Sequence, residues 1–266
     1  MLTALLISLL AGLATSIGGV IALGPGARRR SRLAVTLAFS AGAMLIVSLV
    51  ELLPLGIASL HQQFEPTAAT ALAYVSFFVG IALVLAIDRF LPHSLNPNET
   101  EGREGEVAEG EVQETRALLR SGLLVALVLA LHNLPEGMAT FFASYSNLAV
   151  GIPLAAAIAI HNIPEGIAVA APVYAATGSR AKALWWATAS GLTEPLGALL
   201  AAALVAWVIP PALFGIIYGL VAGMMVFLAL DELLPGAWRY QTDKHQTVYG
   251  MLAGMAVVAL SFVLFA

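Results

Sequence analysis

Two copies of the hexapeptide His-Asn-x-Pro-Glu-Gly, at His132–Gly137 and His161–Gly166, carry the side chains most able to do chemistry in this sequence. Helical residues four apart share a face, so each copy offers an imidazole and a carboxylate to one small volume, with an amide beside them. Each copy lies within an apolar segment long enough to cross a bilayer. Ionisable side chains are costly at membrane depth, where they usually line an ion pathway or hold a bound ion.

A further carboxylate, Glu194, is predicted at the depth of the hexapeptides. His132 lies 12 residues after Arg120, and Glu194 lies 12 residues after Lys182. Arg120 and Lys182 mark the membrane surface. At about 1.5 Å per helical residue, His132 and Glu194 therefore lie roughly 18 Å inside it, near the midplane. His161 reaches a similar depth from the opposite surface.

Histidine, asparagine and glutamate side chains at one depth suit divalent transition metals. Imidazole favours Zn, Fe, Cu and Ni, and carboxylate and amide oxygens extend the range toward Mn. All 12 Lys and Arg fall in loops or at helix ends, so protons, imidazole or metal ions must balance the buried acids. The candidates outnumber the ligands of one tetrahedral ion, which favours two metals bridged by carboxylates. The predicted ligands are His132, Asn133, Glu136, His161, Asn162, Glu165 and Glu194.

Prolines and glycines beside these acids also indicate a site. Pro135, Pro164 and Pro195 each deprive the carbonyl four residues earlier of its helical partner, as occurs where backbone lines a cavity or pathway. Gly137 and Gly166 permit close helix approach. The alternative is a hydrogen-bond network that only holds the helices together. Such networks usually use Ser, Thr, Asn and Gln rather than several carboxylates, so a metal site is favoured.

The elements that position these residues are transmembrane helices. The chain has 266 residues, of which 60% are hydrophobic and 11% charged, and its mean hydropathy is +0.91; soluble domains have about 25% charged residues. It has no cysteine, which excludes disulfides and thiolate metal sites. We expect one all-α membrane domain over residues 1–266. The eight predicted spans are 2–24, 33–58, 68–91, 117–144, 148–174, 182–208, 211–237 and 246–266.

The connections between spans predict the orientation. The one long connection, 92–115, carries seven glutamates with interspersed glycines and is predicted to be a flexible acidic cytoplasmic loop. Lys and Arg occur between spans 1 and 2, 3 and 4, 5 and 6, and 7 and 8, and are missing from the other connections and from both ends. Because positive loops favour the cytoplasm, both termini are predicted to lie outside it.

A short repeat indicates an inverted architecture. Glu51–Pro54 in span 2 and Glu232–Pro235 in span 7 share the sequence Glu-Leu-Leu-Pro, and the two spans run in opposite directions. Spans 1–3 and 6–8 are therefore predicted to be inverted repeats around a central 4–5 pair, as in many transporters. On this prediction a cation reaches the centre past Glu51 and leaves past Asp231 and Glu232.

The paired hexapeptides resemble the fourth and fifth helices of the ZIP (Zrt/Irt-like) family of divalent metal transporters, most closely its bacterial ZupT-type members. The resemblance covers all eight spans. It implies a transporter of the cell (inner) membrane, not an enzyme, with a binuclear site on helices 4, 5 and 6 that matches the seven ligands above. The acidic family positions of helices 2 and 7 match Glu51, Asp231 and Glu232.

The resemblance also implies the cargo and the partners. Zn²⁺ is the leading substrate, with Fe²⁺, Mn²⁺, Co²⁺ and Cd²⁺ as further candidates, moved into the cytoplasm. The bilayer and a second copy of the chain are the expected partners; no resident cofactor and no nucleic acid are expected. Two departures stand out. The 92–115 loop has one histidine, His93, where many members have several, which questions metal sensing by the loop. His161-Asn162 stands where some members have Gln-Asp, which should soften charge-based selectivity.

Two other functions stay open from the residues alone. An intramembrane metallohydrolase would use the same ligands to activate water, but the sequence lacks a His-Glu-x-x-His segment. A metal channel or sensor would use the same site without a transport cycle.

Overall fold

The computed structural model describes residues 1–26, 29–90, 110–204 and 211–265. Within these ranges every regular element is helical, and eight helical spans are long and apolar enough to cross a membrane. The predicted all-α fold with eight spans is confirmed. Most of the predicted acidic loop lies outside the described residues. Residues 110–115, predicted as its last part, instead form the first turns of a helix, because glutamate is also a good helix former.

The observed spans follow the predicted order. Their bounds are Leu2–Ala22 for span 1, Arg30–His61 for span 2, Pro66–Phe90 for span 3, Gly110–Ser146 for span 4, Leu148–Thr177 for span 5, Arg180–Leu204 for span 6, Ala212–Tyr240 for span 7 and Gln246–Phe265 for span 8. Because the chain crosses the bilayer eight times, the beginning of span 1 and the end of span 8 lie on the same side of it. We call this side the terminal face and the other side the opposite face.

Capped turns join the three spans that carry the hexapeptides and Glu194. Asn147 accepts a hydrogen bond from the Ala149 N–H at 2.9 Å and begins span 5. Gly178 ends span 5 with φ +65°, a conformation that glycine adopts without a Cβ clash. Ser179 then accepts from the Lys182 N–H at 3.3 Å and begins span 6. The chain thus reverses within two residues, and spans 5 and 6 pack side by side.

The spans form two bundles of four helices. Spans 1, 4, 5 and 6 form the hexapeptide bundle, and spans 2, 3, 7 and 8 form the second bundle. The bundles meet mainly along spans 2 and 5, where the buried Ser40 hydroxyl donates to the Pro164 carbonyl at 2.6 Å. Phe142 and Phe214 add an edge-on ring contact between spans 4 and 7, with centroids 4.6 Å apart.

Close glycine contacts reveal the inverted repeat. Gly42 of span 2 packs against the Met251 carbonyl of span 8, and Gly223 of span 7 packs against the Phe77 carbonyl of span 3, without room for a Cβ. Exchanging spans 1 with 6, 2 with 7, 3 with 8 and 4 with 5 relates these two contacts. The same exchange relates Gly80–Leu220 to Gly254–Phe39, Gly18–Ile163 to Gly197–Leu134, and Gly166–Thr15 to Gly137–Glu194. The predicted inverted repeat is confirmed, and the exchange includes the central pair.

Replacing Gly254 by alanine is expected to lower the thermal stability, because the new Cβ would meet the Phe39 carbonyl and push span 8 away from span 2. Overpacking of this kind costs about 1–3 kcal/mol. Gly236→Ala is the matched control, since its Cβ would meet only the tip of the Leu37 side chain at 3.2 Å. Unfolding in detergent micelles, followed by tryptophan fluorescence, compares the two. Equal melting temperatures would contradict the close contact.

Candidate metal centre

The polar residues of both hexapeptides lie inside the hexapeptide bundle. Asn133 and Glu136 of span 4 and Asn162 and Glu165 of span 5 are at most 2% exposed, and Glu194 of span 6 is fully buried. The predicted burial of these groups is therefore observed. The side chains of His132 and His161 lie outside the described part of the structure, although their backbone belongs to spans 4 and 5.

Asn162 connects three spans through one amide group. Its Nδ2 donates to the Ala11 carbonyl of span 1 at 2.9 Å and to Glu194 Oε2 of span 6 at 2.7 Å. Both amide hydrogens are therefore used, which fixes the direction of the Oδ1 atom. The second hexapeptide and the carboxylate of span 6 are thus brought together, as the sequence predicted.

Asn133 holds the first hexapeptide against a break in span 6. Its Nδ2 donates to the Ser190 carbonyl at 3.1 Å, and the Thr193 hydroxyl donates to the same oxygen at 2.6 Å. Span 6 is helical to Gly191 and again from Thr193. The break lies beside Pro195, where the sequence predicted a kink, and it begins a new helical segment close to Glu194.

Glycines let the backbones of these spans touch. Gly137 lies against the Glu194 carbonyl, and Gly166 lies against the Thr15 carbonyl of span 1, each without room for a Cβ. The close approach predicted for Gly137 and Gly166 is observed. Because both contacts are made at the hexapeptides, the carboxylates one residue earlier are held on rigid, tightly packed backbone.

Span 1 is part of the centre, and sequence reasoning missed it. Besides the Ala11 carbonyl, span 1 contributes Thr15, which is the counterpart of Glu194 under the exchange of spans 1 and 6. Thr15 is fully buried, and its hydroxyl has no hydrogen-bond partner among the described residues. The residues of span 1 at this level are small and uncharged, so no motif marks them. Only an alignment of span 1 with span 6 would have found Thr15.

The predicted pathway acids lie in the second bundle. Glu51 and Glu232 occupy equivalent places in two turns of π-helix, Val47–Leu52 in span 2 and Ala229–Leu233 in span 7. Glu232 is buried, and Glu51 and Asp231 are half-buried. A π-turn inserts an extra residue into a helix and often occurs at functional sites. These acids are therefore carried by different helices from the hexapeptides.

The structure joins Asn162 to Glu194 by a hydrogen bond and Asn133 to the Ser190 carbonyl of the same span 6, but the complete ligand set stays a prediction. Among the described side chains, which exclude both hexapeptide histidines, no three His, Asp or Glu groups lie close enough to hold one ion. The centre as described offers amide and carboxylate oxygens in a dry interior.

Eight spans with inverted repeats around buried carboxylates define a multi-pass membrane transporter. The family model described as ZIP zinc transporter matches residues 91–261. The chain is 49% identical over 266 residues to the zinc transporter ZupT of Corynebacterium glutamicum, and the match covers 100% of both chains. It is 42% identical to the zinc transporter ZupT of Clostridium perfringens, covering 99% of this chain and 96% of the relative. The chain therefore belongs to the ZIP family, whose members are transporters and not enzymes.

Asn162→Asp is expected to destabilise the metal-free protein, because it replaces the donor to Glu194 Oε2 by a second carboxylate at hydrogen-bonding distance. Added Zn²⁺ should raise the melting temperature of this variant more than that of the unaltered protein. Asn147→Asp is the matched control, since aspartate caps a helix as well as asparagine does. An Asn162→Asp protein as stable as the unaltered one in EDTA would rule out the bond to Glu194.

Proposed function

We propose that this chain moves Zn²⁺ into the cytoplasm across the cell (inner) membrane, through a binuclear site on spans 4, 5 and 6. The bond between Asn162 and Glu194 carries the proposal, because it joins a hexapeptide to the carboxylate of span 6 in the dry interior. The relatives are named zinc transporters, which makes Zn²⁺ the first candidate. Fe²⁺, Mn²⁺, Co²⁺ and Cd²⁺ suit the same oxygen and imidazole ligands.

The asparagine oxygens support a bound cation. Asn133 and Asn162 both point their Nδ2 atoms at carbonyl oxygens. Neither Oδ1 atom accepts a hydrogen bond within the described part of the chain, although both are buried. A buried acceptor without a donor costs about 1–3 kcal/mol. A cation coordinated by the Oδ1 atoms would remove that cost, and the amide geometry already directs them.

The inverted repeat and the charge balance support two ions. Exchange of spans 4 and 5 superimposes one hexapeptide on the other, so each supplies the same set of an imidazole, an amide and a carboxylate. Glu194 is a further acid with no acidic counterpart, since Thr15 takes that place. Two divalent ions would nearly balance the charges of the buried carboxylates Glu136, Glu165 and Glu194. Near-neutral clusters are the ones that a low-dielectric interior tolerates.

The two-bundle architecture supports alternating access, with the terminal face outside. A cation would pass Glu51, lose water at the hexapeptides and leave past Asp231 and Glu232. An inside-negative potential favours this direction by about 2.3 kcal/mol per charge per 100 mV, about 4.6 kcal/mol for a divalent ion. Protonation of the glutamate or histidine ligands would weaken binding and couple release to protons. The lipid bilayer and a second copy of the chain are the proposed partners, with no resident cofactor.

Uptake of radioactive zinc into proteoliposomes tests the function, with Fe²⁺, Mn²⁺, Cd²⁺ and Mg²⁺ as unlabelled competitors. Saturable uptake that transition metals inhibit and Mg²⁺ does not inhibit is the expected result. Counterflow of labelled metal distinguishes a carrier from a channel. Absence of flux in liposomes that hold folded protein with bound zinc would overturn the transport proposal in favour of a sensor.

Glu136→Ala is expected to abolish uptake while leaving the protein folded, because it removes a proposed ligand from the first hexapeptide. Glu65→Ala removes an exposed carboxylate between spans 2 and 3 and should leave uptake unchanged. Bound zinc per chain, measured by mass spectrometry on both purified variants, separates loss of metal from loss of fold. Normal uptake by Glu136→Ala would show that the ligand assignment is wrong.

Single cysteines test the orientation, since the chain has none of its own. Gln63 and Asp243 are exposed in turns at the terminal and the opposite face, respectively. In intact cells, a membrane-impermeant maleimide should label the Gln63→Cys protein. It should label the Asp243→Cys protein only after the cells are permeabilised. The reverse pattern would place both termini in the cytoplasm.

A further inference from the structure

Three buried hydroxyls, Ser8 of span 1 and Thr140 and Ser144 of span 4, form what we call the hydroxyl row. The exposed fractions of these residues are 0%, 0% and 3%. None of the three hydroxyls has a hydrogen-bond partner among the described residues. A buried hydroxyl without a partner costs about 1–3 kcal/mol. The row therefore makes the described conformation less stable than an apolar row would.

Several other buried hydroxyls of this fold are satisfied within their own helix. Ser48, Ser190 and Ser261 donate to carbonyl oxygens three or four residues earlier at 2.6, 2.9 and 2.7 Å. This bond within one helix is the usual solution for Ser and Thr in transmembrane helices. The hydroxyl row does not use it, although its residues also lie in helices. Its lack of partners thus needs an explanation other than the helical environment.

The row runs from the centre to the terminal face. Thr140 and Ser144 follow Glu136 at steps of four residues, so all three share one face of span 4. The Ser144 hydroxyl lies against Gly151 of span 5, which places this face along the seam between spans 4 and 5. Span 4 reaches the terminal face at Ser146. The hydroxyls of span 4 therefore line the half of the seam between Glu136 and the terminal face.

Ser8 lies in the same half of the bundle. It is about one helical turn from Ala11, whose carbonyl accepts from Asn162. Since span 1 begins at the terminal face, Ser8 lies on that side of the centre. Span 1 packs against both span 4 and span 5.

In the other half of the bundle, the positions equivalent to the row are apolar, although hydroxyls occur elsewhere in that half, such as Ser16 and Thr188, which bond to each other at 2.9 Å. Under the exchange of the repeats, Thr140, Ser144 and Ser8 correspond to Val169, Val173 and Ala187, which are all fully buried in the apolar core. Val173 packs against Gly122 as Ser144 packs against Gly151. Because the two glycine contacts are equivalent, close packing alone does not explain why Thr140, Ser144 and Ser8 are hydroxyl residues where their counterparts are apolar.

We propose that the hydroxyl row lines the last part of the route by which a partly hydrated divalent cation reaches the centre from the terminal face. When the bundle opens on that side, water enters the row and the hydroxyl oxygens replace waters that the cation loses. When the bundle closes on that side, the row loses this water, and the desolvation of its hydroxyls favours reopening. The inference rests on the proposed function and adds Ser8, Thr140 and Ser144 to the residues that act in uptake.

Thr140→Val tests the row, because it removes the hydroxyl and keeps the shape. We expect the maximal rate of zinc uptake to fall about tenfold, because the Thr140 hydroxyl no longer interacts with the passing cation and one such polar interaction contributes about a factor of ten. Equilibrium zinc binding to the purified protein should stay within about twofold, and the melting temperature should not fall, since an unsatisfied group is removed. Thr36→Val, the same change in the second bundle, should leave uptake unchanged.

Two results with Thr140→Val would overturn the inference. Unchanged uptake would show that the hydroxyl takes no part. A lower melting temperature with a matching loss of zinc binding would show that it holds the fold or the centre together. The unaltered protein must take up zinc in the same liposomes. If the unaltered protein takes up no zinc, the proposed function is wrong. If it takes up zinc and Thr140→Val gives one of the two results above, only the role of the hydroxyl row is wrong.

Cysteine labelling provides a second readout of the route. Ser144→Cys should react with a cationic, membrane-impermeant thiosulfonate added at the terminal face of liposomes that are taking up zinc. Val173→Cys, its counterpart in the apolar half, should not react from that side. Reaction of neither variant, or of both equally, in transporting liposomes would overturn the proposed route.

Discussion

The need to satisfy polar groups inside the membrane governs this structure. A bilayer core offers no water, so buried amides and carboxylates must find partners within the protein. The Asn162 amide donates both to a carbonyl of span 1 and to the Glu194 carboxylate of span 6. The Asn133 amide donates to a carbonyl beside the break in span 6. These bonds determine which helices surround the hexapeptides. They also fix the orientation of the two amide oxygens, which accept no hydrogen bond among the described residues and are therefore available to coordinate a cation.

Such bonds between helices require backbones that lie very close together. Glycine allows this approach where its Cα lies against a carbonyl of another span, as at Gly137 and Gly166 in the two hexapeptides. Without an aqueous hydrophobic effect between helices, this packing and the buried hydrogen bonds hold the bundle. Several of these contacts occur twice, because the two halves of the chain repeat with inverted direction. One local solution thus builds both bundles.

The repeat is broken in its side chains. A fully symmetric chain would present the same surfaces to both sides of the membrane. Side chains make the two sides differ, and so does the break in span 6, since its counterpart span 1 is one continuous helix from Leu2 to Ala22. Under the exchange of the repeats, Glu194 is equivalent to Thr15, and Thr140 and Ser144 are equivalent to Val169 and Val173. The polar half and the apolar half of one helical seam can then respond differently to water.

Hydropathy and residue types were enough to predict the helical class, the eight spans and the importance of the two hexapeptides. These follow from hydropathy and from residue spacing, which are local properties of the chain. Local composition failed at residues 110–115, because glutamate-rich segments suit loops and helices alike. Outside the two hexapeptides, the repeat was visible only at Glu51–Pro54 and Glu232–Pro235, where polar residues interrupt an apolar background.

The association of the spans could not be predicted from the sequence and became known from the folded structure. The division into two bundles, the place of span 1 in the centre and the exchange of span 4 with span 5 depend on contacts between distant segments. Those contacts are made by glycine, alanine and backbone carbonyls, whose types carry no signal of their partner. Thr15 and the hydroxyl row gain their meaning in the same way. A buried hydroxyl is distinctive only once its surroundings are known to offer it no partner among the described residues.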